Sequence, residues 1–230
     1  MTPEAALAAI RERAEPGRAA DMAHYHKQSR EVIGVSVPAL TELATEWRRA
    51  LSVEERVALA RALWDTDIFE ARIGAAKLLT QARIRPDAAV WELIQSWVPE
   101  FDSWAIADHA CKAGERRLKA APERLDDVEP WTRSEHMWTR RAALVITLPW
   151  ASLPNPKPAE IAARERILGW AAGYVPDQEW FIQKAIAWWL RTLSKHDPER
   201  VAAFLDSHGT AMKPFARKEA GKYIKHAPSS

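Results

Sequence analysis

Val and Ile nowhere in this chain form the alternating apolar and polar run that a half-buried β-strand needs. Helix-start chemistry punctuates it instead. Ser52-Val53-Glu54-Glu55 is a capping box, with Ser52 accepting from the third helical N–H and Glu55 reaching back. Ser36 stands before Pro38, and Asp197 before Pro198, each placing a cap next to a proline in the first turn. Gly is scarce, at 8 of 230 residues, while Ala, Leu, Arg and Glu are abundant. These features predict an all-α chain.

The caps and breakers divide the first half into helices over about 3–13, 19–28, 36–50, 52–64, 65–80 and 85–98, with Pro99 stopping the last. Asp102 or Ser103 then caps a helix opening at Trp104. In the second half, helices are expected over about 122–125, 135–148, 159–172, 177–195, 197–208 and 213–226. Pro149, Pro154, Pro156 and Pro158 fix φ and remove donors, so 149–158 is expected to be a loop. Short helices joined by tight turns, at a pitch of roughly 35–45 residues per pair, predict a HEAT-like or armadillo-like repeat array with a concave face. The chain is read as one domain, 1–230, with a compact irregular helical domain as the alternative.

Other classes fall away. No apolar run spans a bilayer. The N-terminus has no basic segment before its apolar residues, so a secretory signal is not expected. A lone Cys111 forms no internal disulfide, which fits a reducing cytoplasm. No Cys-rich zinc site is possible, and His24 and His26, two apart, point to different faces of a helix. No Gly-rich phosphate loop appears. No metal, cofactor or membrane is therefore expected, and the chain is read as a monomer. Formal net charge is only +2, so the distribution of charge must decide about nucleic acid. Trp is the outlier, at 12 residues, because each buried indole N–H needs a partner.

The stretch Phe101-Asp102-Ser103-Trp104-Ala105-Ile106-Ala107-Asp108-His109-Ala110 puts Trp104 and Asp108 on one helix face, one turn apart. The same mixture of Trp and charge recurs in Met137–Arg141 and in Phe181–Arg191. The three segments read as lining one groove, and equally as three core helices with snorkelling charges. Basic residues are uneven. The last expected helix carries Lys213, Arg217, Lys218, Lys222 and Lys225 against Glu219 alone, which points to phosphate contact. Arg116, Arg117 and Lys119 at the end of the Trp104 helix can simply offset its dipole.

These residues resemble the AlkD-like DNA alkylation repair glycosylases, a family of HEAT-like helical repeats. The likeness runs over nearly the whole chain. It includes Met22-Ala23-His24-Tyr25, Leu63-Trp64-Asp65, Trp104-x-x-x-Asp108, Trp138-x-x-Arg141-Ala142-Ala143, Phe181-Ile182-Gln183-Lys184-Ala185-Ile186-Ala187-Trp188 and Arg217-Lys218-Glu219-Ala220. The resemblance implies excision of cationic N3- or N7-alkylated purines from duplex DNA, with Asp108 as the catalytic carboxylate. It implies Trp104 and Trp188 as aromatic walls at the lesion sugar, Arg141 facing phosphate and Tyr25 near the lesion. Lys184, Arg217, Lys218 and Lys222 complete the expected DNA contacts. The family often has an acidic residue directly after the Trp, where this chain has Ala105. That departure bears on the hydrogen bonding around Asp108, not on the carboxylate. A helical scaffold that binds nucleic acid or protein without chemistry is the alternative.

Overall fold

The structure is a computed structural model that describes residues 1–224. Lys225 and His226, expected in the last helix, lie outside the described residues. Among the described residues every regular element is helical, and no helix is long and apolar enough to cross a membrane. The chain forms two compact units, Met1–Ala121 and the segment from Pro122 onward.

The first unit contains α1 (Pro3–Arg11), α2 (Arg18–His26), α3 (Val37–Ala50), α4 (Val53–Asp65), α5 (Phe69–Leu79), α6 (Ala88–Trp97) and α7 (Trp104–Ala120). Ser36 caps α3 by accepting the Ala39 N–H, and both arms of the Ser52/Glu55 box close on α4. Consecutive helices pack as pairs, α4 on α5 and α6 on α7. Alternate helices also touch, α3 on α5 on α7 in one layer and α4 on α6 in the other. This two-layer stacking of helical hairpins is what the repeat reading predicts. Helix α5 lies at the centre and is buried on all sides except at Lys77. Its two buried charges are both satisfied. Glu70 accepts the backbone N–H groups of Ile33 (2.8 Å), Gly34 (2.6 Å) and Val35 (3.1 Å). Arg72 pairs with Asp67 and Glu100 and lies over the Trp64 ring.

The second unit contains α8 (Leu125–Val128), α9 (Met137–Val145), α10 (Leu148–Ala151), α11 (Pro158–Tyr174), α12 (Trp180–Leu193), α13 (Pro198–His208) and α14 (Pro214–Ala220). Here α12 is the central helix, with α14 and α9 packed most extensively against it and α10, α11 and α13 also touching it. Gln183 ties three segments together. Its amide donates to the carbonyls of Val175 (3.1 Å) and Asp177 (2.8 Å) and accepts the Lys213 N–H at 2.9 Å.

Several boundaries depart from expectation for local reasons. Pro149 sits inside α10, because the N–H it lacks is unused in a first turn. Arg164 then holds the following loop through the carbonyls of Trp150 and Leu153. Helix α14 stops at Ala220, where the Gly221 N–H caps the Arg217 carbonyl, so Lys222 lies beyond the helix. Most of the indoles are core. Trp47, Trp64, Trp91, Trp97, Trp150, Trp170 and Trp189 are buried, with Trp64 stacked on Trp97 at 4.3 Å. The number of Trp is thus mainly a packing fact, and only Trp104, Trp131, Trp138, Trp180 and Trp188 keep exposed surface.

Candidate nucleic-acid interface and catalytic carboxylate

In the first unit, α7 begins at Trp104 without the side-chain cap expected from Asp102 or Ser103. The Ser103 hydroxyl is buried without a hydrogen-bond partner. The Asp102 carboxylate instead meets the guanidinium of Arg30, which also lies 3.2 Å from Asp67. A long-range ion pair has displaced a local cap. It places two carboxylates and a nearly buried arginine beside the start of α7.

Ala105, Ala107, Ala110, Ala113 and Gly114 are buried and let α7 lie close against α5 and α6. Trp104 and Asp108 fall on the remaining face and are both half-buried. Ala105 is itself buried, on the face turned away from solvent. Around Trp104 stands an aromatic group. Tyr25, 69% exposed, makes an edge-type contact with the indole, with centroids 6.1 Å apart and planes at 81°. The His26 ring lies 5.0 Å from the indole, tilted by 42°. The structure therefore brings together Tyr25, Trp104 and, one turn along α7, Asp108.

His109, next to Asp108, is held down to about 4 by burial and then by the charge of Lys77, so it is a neutral imidazole at pH 7. Arg117 is not part of a solvated basic end. It is fully buried and binds the carbonyls of Gln81, Ala82 and Ile84 and the Asp87 carboxylate.

In the second unit, α12 shows a partly exposed stripe of Trp180, Phe181, Lys184, Trp188 and Arg191, the i, i+4 rows of one face. Phe181 meets Trp138 of α9 at 4.6 Å, and the Arg141 guanidinium lies 5.7 Å from the Trp138 ring. Arg141 is only 4% exposed, more enclosed than the phosphate-facing role implies. Arg140 is structural, pairing with Asp177 and holding the Ser134 and Glu135 carbonyls. Lys184 pairs with Glu219 and lies near the Phe215 ring. Arg217, Lys218 and Lys222 are exposed and make no ion pair among the described residues. Glu219, the one acid of α14, turns inward to α12, so the outer face of that segment is wholly basic.

Sequence reasoning misses His26, Arg30 and Glu70. Spacing alone weighs His26 only as a metal ligand, and dismisses it. Its place at the end of α2, one residue after Tyr25, is the available signal. Arg30 and Glu70 act over separations that no local pattern reveals.

The sequence profile of the DNA alkylation repair enzyme family matches residues 6–224. No curated protein matches the chain at a significant level. Among solved structures, the chain is similar to a predicted DNA alkylation repair enzyme from Enterococcus faecalis. That match has a TM-score of 0.78 and 23% identity, and covers 94% of this chain and 98% of the other. It is similar also to AlkD2 from Streptococcus mutans, with a TM-score of 0.62, 18% identity, and 90% and 98% of the two chains covered. A third likeness, to smu.31 of Streptococcus mutans UA159, has a TM-score of 0.62 at 20% identity, covering 82% of this chain and 93% of that one. The all-helical fold is shared with these proteins. With the family profile matched over nearly its whole length, the chain belongs to the DNA alkylation repair enzyme family, and its partner is DNA.

Proposed function

We propose that the protein is a metal-free, monofunctional glycosylase that releases cationic N3- or N7-alkylated purines, such as 3-methyladenine and 7-methylguanine, from duplex DNA. The observation that carries this reading is the pairing of the half-buried Trp104 and Asp108 on one face of α7, in a chain of the alkylation repair family. A purine alkylated at N3 or N7 is already cationic, so its glycosidic bond is weakened and the leaving base needs no proton. What remains is to stabilise an oxocarbenium-like sugar and to admit water. One ionised carboxylate serves both needs, which is the role assigned to Asp108. Trp104 presents an indole face to a cationic substrate, and Trp188 of the second unit presents an indole face to DNA. Tyr25 is the neighbouring contact to DNA. Arg217, Lys218 and Lys222 meet phosphates, Arg141 is the further phosphate contact that the resemblance implies, and Lys184 joins them when Glu219 releases it.

The test is single-turnover base release from duplex DNA methylated at purines. Asp108→Asn keeps the size of the side chain and removes its charge, and the rate is expected to fall ~10²–10³-fold, the usual loss for one well-placed electrostatic contact. Affinity for duplex is expected to hold. A variant that releases base at the wild-type rate rejects Asp108. A wild-type protein that binds duplex and releases nothing is a binding module instead.

A further inference from the structure

The Trp104 indole is the outermost layer of a stack of three rings. At the bottom lies Phe69, the first residue of α5, 1% exposed and fixed by its N–H to the Glu31 carbonyl at 3.0 Å. His26 lies on it with centroids 4.8 Å apart and planes tilted by 39°. Trp104 follows at 5.0 Å and 42°. Tyr25 closes the edge, 4.8 Å from His26 at 88°. Offset and edge contacts of this kind are the favourable geometries for aromatic rings.

The backbone on either side of His26 is fixed. Lys27 turns left-handed (φ 51) to end α2, and its N–H meets the His24 carbonyl. The Gln28 side chain donates to the His26 carbonyl at 3.0 Å. Beyond it, Arg30 reaches Asp67 and Asp102, and Glu70 holds 33–35. The imidazole Nδ1 is buried without a hydrogen-bond partner. Ring packing, not hydrogen bonding, therefore keeps the side chain in place. Burial lowers the imidazole's pKa against the pull of Glu70, which favours the neutral ring between the two aromatic side chains.

We propose that His26 is a positioning residue that braces the Trp104 indole against α5 and so fixes its place beside Asp108. The proposal rests on the glycosylase reading above. A half-buried Trp on a helix surface has several rotamers open to it, and an aromatic wall helps a transition state only in one of them. His26 does not touch the substrate. It transmits the rigidity of the core to the one indole that shares a face with the carboxylate.

The experiment uses the full-length protein labelled with 5-fluorotryptophan, its Trp104 ¹⁹F resonance assigned by loss in Trp104→Phe. His26→Ala, His26→Phe and Asp108→Asn are compared with wild type in single-turnover release of 7-methylguanine, duplex affinity and thermal melting. His26→Ala is expected to excise ~10- to ~100-fold more slowly, the scale of a slight misplacement, with unchanged duplex affinity and a displaced or broadened Trp104 resonance. His26→Phe restores the ring and removes the orphan nitrogen, so rate and resonance return to wild type and the melting temperature does not fall. His26→Ala at the wild-type rate with an unmoved resonance overturns the brace. A His26→Phe protein as slow as His26→Ala also overturns it, because the imidazole itself is then required. If His26→Ala does not fold, His26→Leu takes its place with the same expectations. If wild type releases no base while Asp108→Asn behaves identically, the glycosylase reading falls, and the Trp104 resonance alone decides the brace.

Discussion

Lys184 Nζ lies 3.1 Å from one oxygen of the Glu219 carboxylate, and the other oxygen takes Arg191 at 2.6 Å. One acid of α14 thus neutralises two cations of α12 that flank Trp188. Glu219→Gln is expected to free both for phosphate. Duplex affinity should rise at low salt, and the slope of log K against log salt should steepen by ~0.9 for each additional phosphate neutralised. Binding titrations over a salt series measure it. An unchanged slope means that the two cations remain engaged within the protein.

Neighbouring indoles should differ sharply in what they contribute to stability. Trp189 is fully buried, and Trp188, one residue earlier, is partly exposed. Trp189→Ala is expected to cost the ~3–5 kcal/mol of a truncated core aromatic, and Trp188→Ala less than half of that. Urea unfolding of both variants makes the comparison. Equal costs would make Trp188 a core residue and remove it from the DNA-facing set.

Glu70 carries three backbone hydrogen bonds at an interior position. A hydrogen bond to a charged group contributes ~1.5–3 kcal/mol, so Glu70→Ala should lose several kcal/mol and Glu70→Gln a smaller part. Gly34, one of its donors, has φ +94, and an added Cβ would stand 2.8 Å from the Ala19 nitrogen. Gly34→Ala is therefore expected to destabilise the same segment. Denaturant midpoints for the three variants report it, and a Glu70→Ala protein as stable as wild type would refute the anchor.

His109 predicts a pH dependence. Its folded-state value is lowered from 6.5 to about 4. Between those values the unfolded chain binds more protons than the folded one, so stability is complete above about 6.5 and is lost as the pH falls toward 4. The melting temperature of wild type should drop by several degrees across that window, and His109→Gln should drop by less. Identical pH profiles would show that His109 titrates alike in both states.

What could be read from the sequence was what depends on neighbours along the chain. The Ser52/Glu55 box, the Ser36 cap and the Asp197 cap form as expected because each joins residues three apart. The i, i+4 placement of Trp104 and Asp108 follows from the helix alone. What stayed hidden depends on distant partners. Asp102 is a sound cap on local grounds, but Arg30, 72 residues earlier, claims its carboxylate. Arg117 has the position of a helix-dipole cation, yet it is buried under the 81–87 segment. His26 gives no helical pattern of its own, since its partners Phe69 and Trp104 come from two other helices.

The amide of Gln183 has a consequence beyond packing. It must donate toward the end of α11 and accept from the start of α14 at once. A carboxylate cannot donate there, an ammonium cannot accept, and a shorter amide does not reach both. The side chain therefore works as a keyed joint. It sets where α14 begins, and so the direction in which Arg217 and Lys218 face. A protein altered only at this interior amide would carry every cation proposed to meet DNA, aimed at the wrong phosphates.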